Sequence, residues 1–428
     1  MAFLKQLIVF LLTLEARLVL WRHKPEIVAV TGNVGKTTTK DAVYAALSSF
    51  MSARKSEKSY NSELGVPLAI LGSASGWNNP LAWIGVFVRG AVAMLQSHYP
   101  KLLVLEVGAD RPGDILRVAR WLRPHMVVMT SVPKMPVHVE FFDSPEALLR
   151  EKCSLVKCMR SGGVVFVNGD DVRLLTACRE EARQVITYGC DSTNDIQGSH
   201  EDIEYAHDVP KGLRFRINRS GASVPITISG VLGRAYVYAA LAAAAVGENK
   251  GRDLVSVAEA LLQWVPPPGR MRILEGTRGS TIIDDSYNAS PEATLFALDA
   301  LKKVRAKRRI AVLADMLELG KLSADAHRTV GKMAAECADL LITVGFRARL
   351  IAEGALDAGM GEYQIQQYEQ FESERAGREL EKELSEGDVV LVKGSESMRM
   401  ERVVREIMAE PLRAPELLVR QNKEWITR

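Results

Sequence analysis

The twelve residues VAVTGNVGKTTT, Val28 to Thr39, decide how the rest of the chain is read. A β-branched apolar run ends at Thr31, Gly32 and Gly35 follow, and Lys36-Thr37-Thr38 opens a stretch without Gly or Pro up to Ser48. Strand, glycine turn and helix in that order bring backbone N–H groups and a helix N-terminus to one point, where an anion is stabilised. At this spacing Lys36 suits the β- and γ-phosphate oxygens of a nucleotide, and the Thr37 hydroxyl suits magnesium. Val30 stands where the general nucleotide loop has Gly, so the motif is a shortened GxxGKTT form. A GK[ST] triplet alone is often an ordinary helix start; the strand before it and the helix after it favour the phosphate reading.

Outward from this loop, short apolar runs alternate with helical stretches, which predicts βα units and a mainly parallel sheet. Strands are expected at 27–31, 102–107, 126–130 and 164–168, with helices at 37–48 and 145–156 among them. Between Gly189 and Gly230 the polar-interrupted runs GLRFRINRSG and SVPITISG predict antiparallel strands, followed by an Ala-rich helix at 235–246. Pro266, Pro267 and Pro268 cannot continue a helix or pair inside a sheet and mark a linker. A second alternation comes after it, with strands at 281–284, 309–313, 340–344 and 388–392. The expected organisation is an α/β chain: an amino-terminal amphipathic helix over 1–24, a central phosphate-loop domain over 25–268, and a Rossmann-like domain over 269–428.

Composition fits two or three folded domains: of 428 residues, 47% are hydrophobic and 25% charged. Lys plus Arg exceeds Asp plus Glu by only 55 to 52, which excludes a nucleic-acid binder and leaves small anionic ligands. Five cysteines without a CxxC pair argue against a disulfide framework or zinc site and for a reducing cytoplasm. At the amino terminus the uncharged run Gln6–Leu14 is nine residues, short of the roughly 20 that span a bilayer. Leu4, Leu7, Leu11, Leu14, Leu18 and Trp21 recur at spacings of three and four and form one helical stripe. Something must cover it: the domain itself, a second copy, or a peripheral membrane contact through residues 3–21 with Lys5, Arg17, Arg22 and Lys24 near headgroups.

Two further positions suit a metal. Glu106 ends the run Leu102–Leu105, where ligands gather in doubly wound sheets, and His138 offers an imidazole. As residues alone, His138 reads more readily as a satisfied loop histidine than as a ligand, and Lys152 as a solvated helix lysine.

These segments resemble the Mur ligases, ATP-dependent amide-forming enzymes of peptidoglycan precursor synthesis, from about Ile27 to Val404. TGNVGKTTTKD resembles the family's phosphate loop, which implies nucleotide contacts from Gly32, Asn33, Gly35, Lys36, Thr37 and Thr38. LEVGADRPGDI is similar to the segment bearing the magnesium-binding glutamate, here Glu106. In HVEFFDSPEALLREK, His138 matches a metal-binding histidine and Lys152 a carbamylated lysine able to hold a second magnesium. Gly269-Arg270 resembles the interdomain pair whose arginine meets ATP phosphates, and Asp285 matches an aspartate on the nucleotide. The resemblance thus implies Lys36, His138, Lys152 and Arg270 as catalytic, and Thr37, Glu106, His138 and Lys152 as metal ligands. NSELGVPLAIL, DDSYNASP and VLVKGSESMRME imply substrate contacts from Asn61, Ser62, Tyr287, Asn288 and Lys393. Together with LADMLELG, they are similar to the branch that joins D-alanyl-D-alanine to a UDP-MurNAc-tripeptide through an acyl phosphate. ATP and two Mg²⁺ ions are the implied cofactors, and a monomer without nucleic-acid partners is expected.

The sequence departs from that pattern in places. Family members carry a UDP-sugar-binding domain before the loop, whereas only 31 residues precede Gly32. Ala235, Tyr236 and Ala239 replace the polar residues of a GxHNxxN-like segment, Ser154 replaces a Glu, and Ala314 replaces a Gly. The alternatives are a related ligase with another amine acceptor or a lipid-linked donor, working at the inner face of the membrane, and a nucleotide-binding scaffold without turnover.

Overall fold

The computed structural model describes residues 2–57, 60–76, 79–133, 139–422 and 425, and only the backbone of residues 2–4 and 80. Two sheets organise the chain. The first has nine strands in the order β2-β3-β1-β4-β5-β6-β7-β8-β9: β1 (Glu26–Thr31), β2 (Ala53–Lys55), β3 (Leu102–Glu106), β4 (Met126–Met129), β5 (Val164–Asn168), β6 (Val185–Gly189), β7 (Ile196–Ala206), β8 (Val209–Arg219) and β9 (Ala222–Ser229). Pairing is parallel from β2 to β7 and antiparallel from β7 to β9. Central β1, β3, β4 and β5 read Val, Ile and Leu almost without interruption because both of their faces are covered.

The second sheet has six strands in the order β10-β11-β15-β12-β13-β14: β10 (Arg272–Glu275), β11 (Thr281–Asp285), β12 (Arg308–Ala314), β13 (Leu340–Val344), β14 (Ile365–Tyr368) and β15 (Asp388–Lys393). Only the β10–β11 pair is antiparallel. The expected strands therefore all form, as does the antiparallel group of 189–230.

Ten helices pack around the first sheet and its border with the second: α1 (Ala2–His23), α2 (Lys36–Ser48), α3 (Gly65–Leu71), α4 (Pro80–Leu95), α5 (Asp114–Leu122), α6 (Pro145–Lys157), α7 (Val172–Glu181), α8 (Arg234–Asn249), α9 (Leu254–Leu262) and α10 (Pro291–Lys303). The start of α6 and that of α10 share one local rule, Ser-Pro-Glu. Ser144 Oγ accepts from Ala147 N at 3.1 Å and Ser290 Oγ from Ala293 N at 3.3 Å, with proline in the first turn. On one face of the first sheet, α2 and α8 seal a core with Val28, Val104 and Phe166; on the other, α1, α3, α5 and α6 cover Ile27, Leu103 and Val127.

Helix α1 forms, but with the opposite face inward. Leu12, Ala16, Val19 and Leu20 are buried, while Leu7, Leu11, Leu14, Leu18 and Trp21 of the expected stripe are exposed. Two close neighbours explain the choice. Glu15 lies against Gly90 of α4, and His23 Nε2 is 2.9 Å from Ala93 O, so α1 seats its smaller side chains against α4 and the sheet.

Candidate active site

The phosphate loop is built by exclusion of side chains. Gly32 has φ +140°, and a Cβ there would stand 2.0 Å from Thr130 Oγ1 after β4; Gly35, at φ +81°, turns the chain into α2 without a side-chain cap. The first N–H groups of α2 thus face a cleft at the carboxyl ends of β1, β3 and β4, where the strand order of the sheet switches.

Glu106 is delivered to this cleft by register, because Val30 pairs with it across β1 and β3. Its Oε2 accepts from Thr37 Oγ1 at 2.8 Å and its Oε1 from Asn61 Nδ2 at 3.0 Å, while its backbone N–H donates to Ser56 Oγ at 2.8 Å. Burial pushes the carboxyl up, but Lys36, Lys40 and Arg270 together pull it below its ordinary value. Lys36 Nζ donates to Asn33 O at 3.1 Å. Burial lowers its pKa, opposed chiefly by Glu106. Lys152, on α6, is 1% exposed. Burial and then the Lys36 charge bring its ammonium down to about 7, against the pull of Asp110, Glu151 and Glu106.

The second half of the chain closes the cleft. Gly269 takes φ +67°, and a Cβ there would meet Val419 Cγ1 at 2.8 Å. This turn sends Arg270 Nη2 to Thr37 Oγ1 at 3.1 Å, across 233 positions of sequence, with its guanidinium 4.1 Å from the centre of the Tyr287 ring. Asp285 and Lys393, register partners on β11 and β15, form an ion pair at 2.5 Å, and Lys393 Nζ also donates to Asn288 O at 2.9 Å. The cavity between the halves measures about 430 Å³ and is lined by Asn33, Lys36, Thr37, Glu106, Arg270 and Asp285 among others. A second cavity of about 370 Å³ lies on the other side of Gly35, with Asn168, Asp171, Tyr238, Glu292 and Phe296 in its wall.

Most positions singled out from sequence converge here: Asn33, Gly35, Lys36, Thr37, Thr38, Asn61, Glu106, Arg270, Asp285, Tyr287, Asn288 and Lys393 line one cavity. Gly32 shapes the loop behind it. Ser62 does not line it; its hydroxyl accepts from Gly65 N at 3.2 Å at the start of α3. His138 lies outside the described residues. Tyr236 and Ala239, in the altered segment of α8, are buried, and Tyr236 Oη donates to Arg270 O at 2.6 Å, so this segment positions the arginine. Sequence reasoning missed Ser56, Asp110 and Arg420. Asp110 stands in the quoted LEVGADRPGDI and was legible there; Arg420 carries no motif, yet its Nη1 donates to Ser286 O at 3.1 Å and to Glu401 at 2.9 Å, bracing the loop before Tyr287.

The donor set fits magnesium. Thr37 and Glu106 offer hard oxygens beside the loop, and Mg²⁺ takes one or two protein ligands, filling the rest with phosphate and water. Among the described residues no three His, Cys, Asp or Glu side chains form a ready cage.

A glycine loop, a buried acid and an arginine brought from a second α/β unit define a nucleotide-dependent ligase cleft. Profiles described as Mur ligase middle domain and as Mur ligase, glutamate ligase domain match residues 86–247 and 269–396, and the chain belongs to the Mur ligase family. It is 28% identical over 397 residues to the UDP-N-acetylmuramoyl-tripeptide–D-alanyl-D-alanine ligase of Bacillus subtilis, covering 90% of this chain and 76% of that protein. The enzyme of that name from Mycobacterium tuberculosis is 29% identical over 405 residues, covering 90% and 73%. Among solved structures, MurF ligase from Thermotoga maritima in complex with ADP superimposes with a TM-score of 0.76 at 26% identity, covering 93% of this chain and 83% of that one. MurF from Acinetobacter baumannii, at 22% identity and a TM-score of 0.75, shares the fold.

Proposed function

We propose that the protein is an ATP-dependent ligase of peptidoglycan precursor synthesis that joins D-alanyl-D-alanine to the terminal carboxylate of a UDP-MurNAc-tripeptide. The observation that carries this is the meeting of Thr37, Glu106 and Arg270, separated by up to 233 residues, at the mouth of a glycine loop. The relatives that share the fold and cover most of the chain bear that activity in their names.

The chemistry needs this charge. A substrate carboxylate attacks the γ-phosphorus of ATP, forming an acyl phosphate as the bond to ADP breaks; the dipeptide amine then attacks the acyl carbon and inorganic phosphate leaves. The first step brings two anions together. Lys36 and Arg270 offset their repulsion from opposite walls, and Glu106 and Thr37 would hold Mg²⁺, which supplies further charge on the phosphate oxygens. Asp285, Tyr287, Asn288 and Lys393 line the wall on the second half, where nucleotide and acceptor would lie, and Asn61 lines the wall on the first half, with Ser62 behind it at the start of α3. The second cavity, beside Tyr238 and Phe296, suits the nucleoside, in place of contacts that Ala235 and Ala239 cannot make.

We further infer that Lys152 is carbamylated. An amine with a pKa near 7 is about half neutral at that pH, so its lone pair can attack CO₂ as the nitrogen loses a proton, and the resulting carboxylate would hold a second Mg²⁺ with His138 nearby in sequence. Residues 25–268 and 269–428 are taken as the two working domains, moving about Gly269. We take the reaction to be cytoplasmic, since ATP is its substrate, and to run at the inner face of the membrane, a reading that the exposed apolar stripe of the amino-terminal helix supports.

The test is phosphate release with ATP, tripeptide precursor and D-Ala-D-Ala, with the product identified by mass spectrometry. Release that requires both substrates and yields a new amide supports the reading. Release with other amines only, or none from well-folded protein, overturns it.

A further inference from the structure

The outer surface of α1 and α4 is the largest feature of the molecule that the ligase chemistry leaves unused. Among the described residues, twenty-two large hydrophobic side chains are exposed, and eleven of them sit on these two helices. Leu7, Phe10, Leu11, Leu14, Leu18 and Trp21 follow one stripe of α1, and Leu81, Ile84, Val88, Val92 and Leu95 one stripe of α4. The opposite faces of both helices, Leu12, Ala16 and Val19 with Val86 and Ala93, enter the same core. The two apolar stripes therefore look away from the sheet in a common direction. Exposure is high where it counts most: 73% at Trp21, 76% at Leu81 and 79% at Leu95. An apolar patch this size on a soluble face marks a binding site.

Charge selects the occupant. The exposed cations of this face are Lys5, Arg17, Arg22 and Lys24 from and just beyond α1 and Arg89 from α4. The one acid on either helix, Glu15, is turned between them against Gly90. A second copy would bring like charges together, whereas an anionic bilayer accepts both the apolar stripes and the cations around them. No helix among the described residues is long and apolar enough to cross a membrane, and the inner faces of α1 and α4 are packed into one core, so the surface is suited to lie on a bilayer and not to span it.

We propose that the paired outer faces of α1 and α4 form a docking surface for an anionic lipid bilayer. This deepens the membrane-face location proposed above and rests on it, not on the reaction. It has a geometric consequence for the site. Helix α3 follows the segment of Asn61, whose amide holds Glu106, and packs between α1 and β3, so the wall of the cleft on the first half is anchored to the lipid-facing layer.

Full-length protein sedimented with vesicles of phosphatidylcholine, with or without phosphatidylglycerol, tests this. Binding to the anionic vesicles is expected, falling about tenfold in high salt or with pure phosphatidylcholine. Leu14→Glu with Val88→Glu, both at exposed positions, should abolish it, and Arg17→Glu with Arg89→Glu should weaken it only on anionic vesicles, with circular dichroism and melting temperature unchanged. Failure to bind any vesicle overturns the proposal, and a dimer dispersed by Leu14→Glu with Val88→Glu assigns the face to a second copy instead. Binding undiminished by that pair places the contact elsewhere and also overturns it. Ligase turnover on soluble substrates without lipid is measured in parallel; its absence while vesicle binding persists counts against the reaction alone.

Discussion

Glu106 and Asp284 are both carboxylates near the carboxyl end of a buried parallel strand, one in each sheet, and their surroundings drive them in opposite directions. Glu106 has Thr37 and Asn61 on its two oxygens and three cations within reach, and is held ionised although 1% exposed. Asp284 accepts from Ser286 N at 3.1 Å with one oxygen, while Oδ2 finds no partner among the described residues, and burial lifts its pKa to about 6. The contrast locates the charge of the cleft. The first sheet holds a permanent anion among cations, ready for a metal; the second places a carboxyl that is neutral in mild acid behind its own ion pair, Asp285 with Lys393.

Removing the cations around Glu106 should have the largest effect. Lys36→Ala is expected to lower substrate-dependent phosphate release by about a thousandfold or more, and calorimetry should show weakened Mg-ATP binding; turnover near wild type would refute the phosphate role. Glu106→Gln keeps shape but removes the negative charge that faces Lys36 and Arg270, and the rate should fall by about a hundredfold with a higher magnesium requirement. A magnesium titration unchanged by this substitution would remove Glu106 from the metal site. Arg270→Lys retains charge but loses the planar stacking on Tyr287, so kcat/KM should fall by roughly tenfold to a hundredfold with little change in melting temperature.

Asp284→Asn should produce the smallest change, and only at one end of the pH scale. The folded-state value of about 6 lies above the ordinary 3.8, so the folded protein keeps this proton longer than the unfolded chain does. The stability it contributes is full below about pH 4 and is lost as pH rises through 6, roughly 3 kcal/mol at most. The amide variant should therefore melt higher than wild type at pH 8 and level with it at pH 4. A constant offset between the two melting curves across that range would contradict this.

What the sequence made legible was what local rules carry. The phosphate loop announces itself because glycine, lysine and threonine must sit at fixed spacing between strand and helix, and the central strands of both sheets were readable because parallel strands buried on two faces are nearly unbroken Val, Ile and Leu runs, whereas the short β2, β6, β10 and β14 were not. Arg420 was not readable, since its role depends on where residues 286 and 287 arrive in space. Which face of α1 turns inward stayed open for a related reason. Its residues are apolar on nearly every side, so periodicity alone did not rank the faces, and the packing of α1 on α4, with Glu15 against Gly90, sets which face is buried. Nor did any local motif reveal that α4 lies beside it.

The contact from Arg270 to Thr37 also bears on the order in which the protein is made. Translation delivers Lys36, Thr37 and Glu106 long before the arginine, so a nascent or truncated product holds the loop and its acid in an open, half-charged groove. The positive charge that Arg270 brings to Thr37 is in place only once the ribosome has passed the three prolines and the later strands have folded back.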